Sequence, residues 1–235
     1  MTERFEAGAY WGSRPESVSA CAHRLSEFLR SLVTIDASLS TWYETGTSRE
    51  AALRAPVATD AAALEKLLLA GRHRGDFGHD IVEELGFSAS VWNGQPVEVG
   101  LHVACGMYPR ARGLKNQVDL LLPTVHEAPD LFRLQAATRV IEALVIAWDP
   151  DWATFESPRL RHAQDRDPRT PVIGWLTYLS GWRGRPMQIP SNARIQALGD
   201  GILLVLGDDP TTVGAAELKA TRSVLADAGC LEPTP

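Results

Sequence analysis

The sequence predicts an α+β fold, with a mixed and largely antiparallel sheet, helices packed on it, and a single domain over residues 1–235. Predicted helices and strands are grouped along the chain rather than alternating, which argues against a parallel doubly wound sheet. Two turn signals, Asn93-Gly94 and Gly199-Asp200-Gly201, separate strand-like runs and predict hairpins. Apolar residues make up 45% of the 235 residues, enough for a large hydrophobic core.

The first predicted element is an amphipathic helix. Ser13-Arg14-Pro15-Glu16 has the pattern of a capping box with proline in the first turn. Apolar residues then recur at helical spacing from Val18 to Leu32. Together they predict a helix of about 20 residues.

The next part of the chain alternates between loop and helix patterns. Segment 36–58 is loop-like, with a short helix expected at 48–54. Two further helices are predicted at 60–70 and 76–85. Each is followed by a glycine of the kind that ends helices, Gly71 and Gly86.

The spacing of apolar residues then changes from a helical period to a period of two residues. Apolar and polar residues alternate over 87–92 and again over 97–105, on either side of Asn93-Gly94. Residues 118–122 predict a third strand, ended by Pro123. Three consecutive antiparallel strands form a meander.

The last third of the chain returns to helix, strands and helix. A helix over 131–148 is stopped by Asp149-Pro150, because proline cannot continue the helical hydrogen bonding. The polar segment 157–171 is expected to join two strand groups of one sheet. The other predicted elements are strands at 152–156, 172–179, 195–198 and 202–206, and a helix at 213–228. The C-terminal hairpin and helix, 194–229, are assigned to the same domain.

Charge and cysteine content limit the class of partner. The formal net charge is −6, whereas proteins that bind nucleic acid are usually basic, so a basic protein partner is expected and nucleic acid is not. Three widely spaced cysteines form no disulfide framework and predict a reducing compartment. No apolar run is long enough to span a bilayer, so we expect a cytoplasmic protein with no membrane partner.

Two carboxylates in Trp148-Asp149-Pro150-Asp151-Trp152 are the main candidates for chemistry. Asp149 and Asp151 could hold a divalent metal ion in a small hydrolase. The interpretation favoured here is structural, because Asp149-Pro150 ends a helix and Asp151 can accept from backbone donors in the turn. A surface role facing a basic partner is compatible with that.

Other catalytic and cofactor patterns are absent or unfavourable. His102 and Cys105 would face opposite sides of a strand, so no metal site is expected and Cys105 is predicted to be a core thiol. Glu217-Leu218-Lys219 lies in a predicted helix, where a nuclease metal site would need a strand. No nucleophile elbow, zinc helix or phosphate loop occurs, so no cofactor and no metal are expected.

Tryptophan and arginine are distributed unevenly. Trp11, Trp92 and Trp148 fall on or beside predicted core elements, whereas Trp42 and Trp182 fall in predicted loops. An exposed indole in a loop is a candidate for a binding surface. Seven arginines against two aspartates between 159 and 194 form a basic strip, interpreted as a solvated loop region rather than a phosphate site.

Several of these segments resemble the immunity protein 52 family of bacterial polymorphic toxin systems. The resemblance is carried from about residue 8 to 180 by Gly8-Ala9-Tyr10-Trp11-Gly12, Trp42-Tyr43, Leu85–Gly94, Ala147–Ala153 and Gly174–Leu179. It implies a non-enzymatic inhibitor. The family's toxins often carry a restriction-endonuclease-like nuclease domain and are delivered by type VI secretion, and the immunity protein neutralises its toxin in the cytoplasm by tight binding.

The leading hypothesis is therefore an immunity protein that binds a cognate toxin effector with a basic nuclease domain. The predicted partner-binding residues are Trp42, Glu44, Asp149, Asp151 and Trp182. Two alternatives stay open. One is the metal-dependent hydrolase using Asp149 and Asp151, and the other is a small-ligand sensor with an aromatic pocket lined by Trp175 and Tyr178.

Overall fold

The computed structural model describes residues 3–75, 80–109, 115–164, 167, 169–190 and 193–234. The chain divides into two units, one formed by Tyr10–Leu120 and the other by Met1–Ala9 with Leu121–Pro235. Helices and antiparallel strands occur in both, which confirms the predicted α+β class. The assignment of all 235 residues to a single domain stays a prediction.

The unit formed by Tyr10–Leu120 contains helices α1, α2 and α3, which cover Val18–Val33, Arg49–Ala52 and Ala61–Ala70. Each begins at a side chain that accepts a hydrogen bond from the first turn. The capping oxygens belong to Ser17, Ser48 and Asp60, at 3.2, 3.2 and 3.0 Å from the donor nitrogen. The helices predicted at 48–54 and 60–70 are thus confirmed.

The capping box predicted at Ser13 is wrong, because α1 begins four residues later. Arg14 precedes Pro15, and the residue before a proline is disfavoured in helical conformation. Glu16 instead accepts from the guanidinium groups of Arg14 and Arg24, at 3.0 and 2.8 Å. The apolar face of α1 is buried as predicted, including Leu25 and Leu29.

The strands of this unit lie in the order β3-β2-β4-β5-β6. The first six strands of the chain are β1 at Arg4–Trp11, β2 at Trp42–Glu44, β3 at Pro56–Val57, β4 at Phe87–Trp92, β5 at Gly100–Cys105 and β6 at Asn116–Thr124. β4 pairs with β5 in the antiparallel register expected of a meander, with Trp92 opposite Gly100. β2 and β3 lie where only loop and a short helix were predicted, and β1 was not predicted at all.

Asn93-Gly94 does not form a two-residue turn. The connection between β4 and β5 runs from Asn93 to Val99, and the Asn93 side chain lies buried inside it. Its Oδ1 accepts from the Val99 amide at 3.0 Å and its Nδ2 donates to the Val97 carbonyl at 3.1 Å. The hairpin was predicted correctly, whereas its loop length was not.

The helix predicted at 76–85 is also corrected. Residues 76–79 lie outside the described residues, and the rest of the segment contains a short 3₁₀ helix at Glu83–Leu85. The Val82 amide donates to the His73 carbonyl at 3.0 Å, and Arg74 forms an antiparallel bridge with Ile81. The backbone therefore folds back on itself instead of continuing as a helix.

In the unit formed by Met1–Ala9 and Leu121–Pro235, the strands lie in the order β1-β7-β8-β10-β9. Its remaining strands are β7 at Trp152–Glu156, β8 at Leu176–Leu179, β9 at Ala193–Leu198 and β10 at Gly201–Leu206. Its helices are α4 at Leu134–Trp148, α5 at Pro158–His162 and α6 at Ala215–Asp227. All but α5 were predicted, with ends shifted by a few residues.

β8 is the central strand that its apolar sequence predicts. It pairs in antiparallel fashion with β7 on one side and β10 on the other, and all four of its residues are buried. Segment 157–171 therefore does join two strands of one sheet, as expected.

A row of aromatic rings forms part of the core of this unit. Phe5 contacts Phe132, Phe132 contacts Phe155, and Phe155 contacts Trp175, with centroid distances of 5.1, 5.8 and 5.5 Å. Each buried phenylalanine contributes about 2 kcal/mol to stability. The buried face of α4, which includes Ile141, Leu144 and Trp148, belongs to the same core.

Candidate functional site

The end of α4 holds the first carboxylate of the candidate site. Asp149 is exposed and adopts the left-handed conformation, with φ 47° and ψ 60°. Its amide donates to the Val145 carbonyl at 2.9 Å, which closes the last turn. Pro150 then prevents any continuation of the helix. The predicted helix stop is confirmed.

Asp151 lies at the centre of a hydrogen-bonded turn. Its carbonyl oxygen accepts from the Ser180 amide at 3.1 Å and from the Ser180 hydroxyl at 2.9 Å. Arg183 Nε donates to the same carbonyl at 3.1 Å. Asp151 Oδ1 accepts from Trp182 Nε1 at 2.8 Å. The turn before β7 is thereby joined to the segment after β8.

Trp182 is exposed as predicted, with 51% of its surface accessible. It belongs to a short 3₁₀ helix, Gly181–Arg183. The Arg183 guanidinium carbon lies 4.3 Å from the ring centroid, so one face of the indole is covered. Together with the bond to Asp151, this contact holds a large apolar ring at the surface.

Asp200 is a site residue that the sequence did not reveal. It lies in the tight turn between β9 and β10, and its Oδ1 accepts from the Tyr178 hydroxyl at 3.0 Å. A Cβ atom on Gly181 would lie 2.7 Å from the Asp200 carbonyl oxygen, so the two segments are in close contact. Asp200 lies close to Tyr178 and Gly181 because β8 pairs with β10, with Leu203 opposite Tyr178.

Three carboxylates contribute to the pKa of one buried phenol, the side chain of Tyr178. The pKa of Tyr178 is raised above its ordinary value, first by burial and then by Asp200, with smaller contributions from Asp149 and Asp151. All three carboxylates thus lie near enough to Tyr178 to oppose ionisation of its hydroxyl. Asp149, Asp151, Trp182 and Asp200 are named the acidic–aromatic surface. Carboxylates beside an indole suit lysine and arginine side chains of a partner.

The two alternatives gain no support from the described residues. Within them, no group of three or more His, Cys, Asp or Glu is arranged to hold a metal ion. Trp175 and Tyr178 are both buried in the core. Trp175 Nε1 donates to the Gly207 carbonyl at 3.1 Å.

The five predicted site residues are divided between the two units of the chain. Trp42 and Glu44 lie on β2, in the unit formed by Tyr10–Leu120. The expectation that Trp42 is an exposed loop residue is wrong, because it is 1% exposed and its Nε1 donates to the Leu39 carbonyl at 3.1 Å. Glu44 is exposed.

Most arginines of the basic strip have partners within the protein. Arg161 contacts Glu6 and Glu156, and Arg183 is buried. Further ion pairs are Arg159 with Glu3, Arg169 with Asp167, and Arg194 with Asp208. Arg166 lies outside the described residues. These contacts neutralise much of the strip and agree with the interpretation that it is not a phosphate site.

A family model described as Immunity protein 52 matches residues 3–234. Among solved structures, the chain is similar to one described as Pseudomonas aeruginosa T6SS protein PA0821, with a TM-score of 0.54 and 11% sequence identity. That match covers 95% of this chain and 72% of the other, and at this identity it shows a shared fold. No curated protein matches the sequence. None of the helices in the described part of the chain has the length and apolarity needed to cross a membrane.

Proposed function

Because the chain belongs to the Immunity protein 52 family, we propose that it protects its bacterium by binding and neutralising a cognate toxin. The family match over nearly the whole chain carries this proposal. The description of the Pseudomonas neighbour as a T6SS protein supports a link to type VI secretion.

The proposed mode of action is stoichiometric binding without catalysis. The proposed toxin has a basic nuclease domain, and the proposed compartment is the cytoplasm, where such a toxin reaches nucleic acid. The net charge of −6 supports a basic partner, because opposite charges accelerate association and orient the encounter.

The acidic–aromatic surface is the proposed contact region. An exposed indole at an interface can contribute about 2 kcal/mol or more to binding, and nearby carboxylates select a cationic partner. Glu44 is kept as a separate proposed contact because its carboxylate is exposed. Trp42 is not kept, since a ring that is 1% exposed has no surface to offer.

Growth rescue tests the proposal. The toxin encoded beside the gene is expressed from an inducible promoter, with this protein, an empty vector or an unrelated acidic protein. Rescue by this protein alone, with recovery of a complex of the two chains, is the expected result. Failure of rescue at matched expression would contradict the proposed function. A nuclease assay on the isolated toxin decides the toxin's class separately.

A further inference from the structure

Arg183 is a buried arginine that links three segments of its unit. It is 3% exposed, and Nε donates to the Asp151 carbonyl at 3.1 Å. Nη1 donates to the Glu232 carbonyl at 2.6 Å, and Nη2 donates to Thr234 Oγ1 at 2.8 Å. Two backbone carbonyls and one hydroxyl thus fix the plane of the guanidinium.

The same guanidinium covers a face of the exposed indole beside it. Its central carbon lies 4.3 Å from the Trp182 ring centroid, while the indole Nε1 is bound to Asp151 Oδ1. Arg183 and Trp182 therefore both bind Asp151, one through its backbone and the other through its carboxylate. A lysine could not reproduce this arrangement, because an ammonium lacks the planar fork.

The C-terminal segment anchors the far side of the guanidinium. Cys230 and Leu231 are buried at 0% and 6% exposure and hold the segment after α6. Glu232 and Thr234 then supply two of the three acceptors of Arg183. The orientation of Trp182 is in this way connected to residues about 50 positions further along the chain.

We infer that Arg183, held by Glu232–Thr234, is a positioning residue that fixes the indole of Trp182 in the orientation that contacts the toxin. The inference rests on the proposed function. A side chain that is already ordered loses less entropy on binding. Loosening it therefore raises the dissociation rate, while long-range attraction and the association rate change little.

Two variants and one matched control test the inference. Arg183→Lys keeps the charge and removes the fork, and Thr234→Val removes the distant hydroxyl acceptor. Arg185→Lys makes the same chemical change at an exposed arginine two residues along. The first readout is the indole N–H resonance of Trp182 in the free protein, assigned with Trp182→Phe. The second is the dissociation rate of the toxin complex.

Both test variants are expected to shift and broaden the Trp182 indole resonance and to speed its hydrogen exchange. We expect toxin dissociation to become about fivefold faster in Arg183→Lys, because a loosened indole must be ordered again on binding. Arg185→Lys should match the wild type in both readouts. Thr234→Val provides the test if Arg183→Lys fails to fold.

An unchanged indole resonance in folded Arg183→Lys and Thr234→Val would overturn the inference. A loosened indole with an unchanged dissociation rate would overturn it too, because positioning would not serve binding. If the wild type does not bind the toxin at all, the proposed function fails. The indole measurement still decides in that case whether Arg183 orients Trp182.

Discussion

The indole of Trp182 donates its Nε1–H to Asp151 Oδ1 across 2.8 Å. This bond joins a ring that is 51% exposed to the carboxylate of Asp151. That carboxylate is one of three that contribute to raising the pKa of Tyr178. An apolar ring at the surface, oriented by an acidic group, is a feature expected of a binding surface. It gives the proposed toxin contact a geometry that can be tested residue by residue.

Removing either partner of this bond is expected to weaken toxin binding. Trp182→Ala should cost about 2 kcal/mol, or about 30-fold in Kd, because the ring is the largest exposed group of the surface. Asp151→Asn should cost less, since an amide oxygen still accepts from the indole. Surface plasmon resonance on the singles and the double gives their coupling. Met187→Ala, at a fully exposed apolar residue, is the control, and an equal loss there would contradict a specific role for Trp182.

Two substitutions at Asp149 test its effects on fold stability and on toxin binding separately. At φ 47° a glycine is less strained than aspartate, so Asp149→Gly should stabilise the fold by up to about 1 kcal/mol. Asp149→Asn should leave stability nearly unchanged, because asparagine tolerates the left-handed region. Both remove the charge and should slow toxin association equally at low salt. Urea unfolding and stopped-flow association check this; an association rate that follows stability instead of charge would disprove it.

We expect the ion pair between buried Glu156 and Arg161 to be required for the stability of the fold. The Glu156 side chain is 0% exposed, and its Oε1 accepts from Arg161 Nε at 2.6 Å. Arg161→Met leaves a buried carboxylate without that cation and should cost about 3 kcal/mol of unfolding free energy. The control Arg169→Met breaks the exposed pair with Asp167 and should cost less than about 1 kcal/mol. Equal losses in urea denaturation would show that burial does not govern the effect.

His102 should make stability depend on pH. Burial, and then the nearby His73, lower the pKa of His102 below 6.5 in the folded protein. His102 lines a pocket together with His73 and Lys115. Below pH 6.5 the unfolded chain takes up a proton at this position before the folded protein does. The contribution of His102 to the unfolding free energy is therefore fully present above pH 6.5. It is lost as the pH decreases toward the pKa of His102 in the folded protein.

Unfolding free energies measured by urea at several pH values between 7.5 and 5.5 test this dependence. His102→Gln should reduce the loss of unfolding free energy on acidification relative to the wild type. An identical pH profile for wild type and His102→Gln would refute the assignment.

The spacing of apolar residues predicted the elements that bury one face, and capping residues predicted the ends of others. The apolar stripe of α1 and the Asp60 cap of α3 are examples. β1 was missed because Phe5 and all residues from Ala7 to Trp11 are buried, so no alternation marks the strand. β2 has three residues, too few for any period to be visible, and Trp42 was consequently assigned to a loop.

The candidate site was only partly predictable for a different reason. Asp149, Asp151 and Trp182 stand out by residue type and by their turn context. Asp200 does not, because its contacts with Tyr178 and Gly181 arise from the register of β8 and β10. Arg183 was assigned to a solvated strip for the same reason, since its acceptors come from distant parts of the chain.

The most direct test of the central claim is titration calorimetry of the purified protein with its cognate toxin, compared with the triple variant Asp149→Asn, Asp200→Asn, Trp182→Ala. The account predicts a one-to-one complex of nanomolar Kd for the wild type, and at least about 100-fold weaker binding for the folded triple variant. Wild-type affinity in the triple variant would contradict the acidic–aromatic surface as the toxin contact. Absence of binding by the wild type would contradict the proposed function itself.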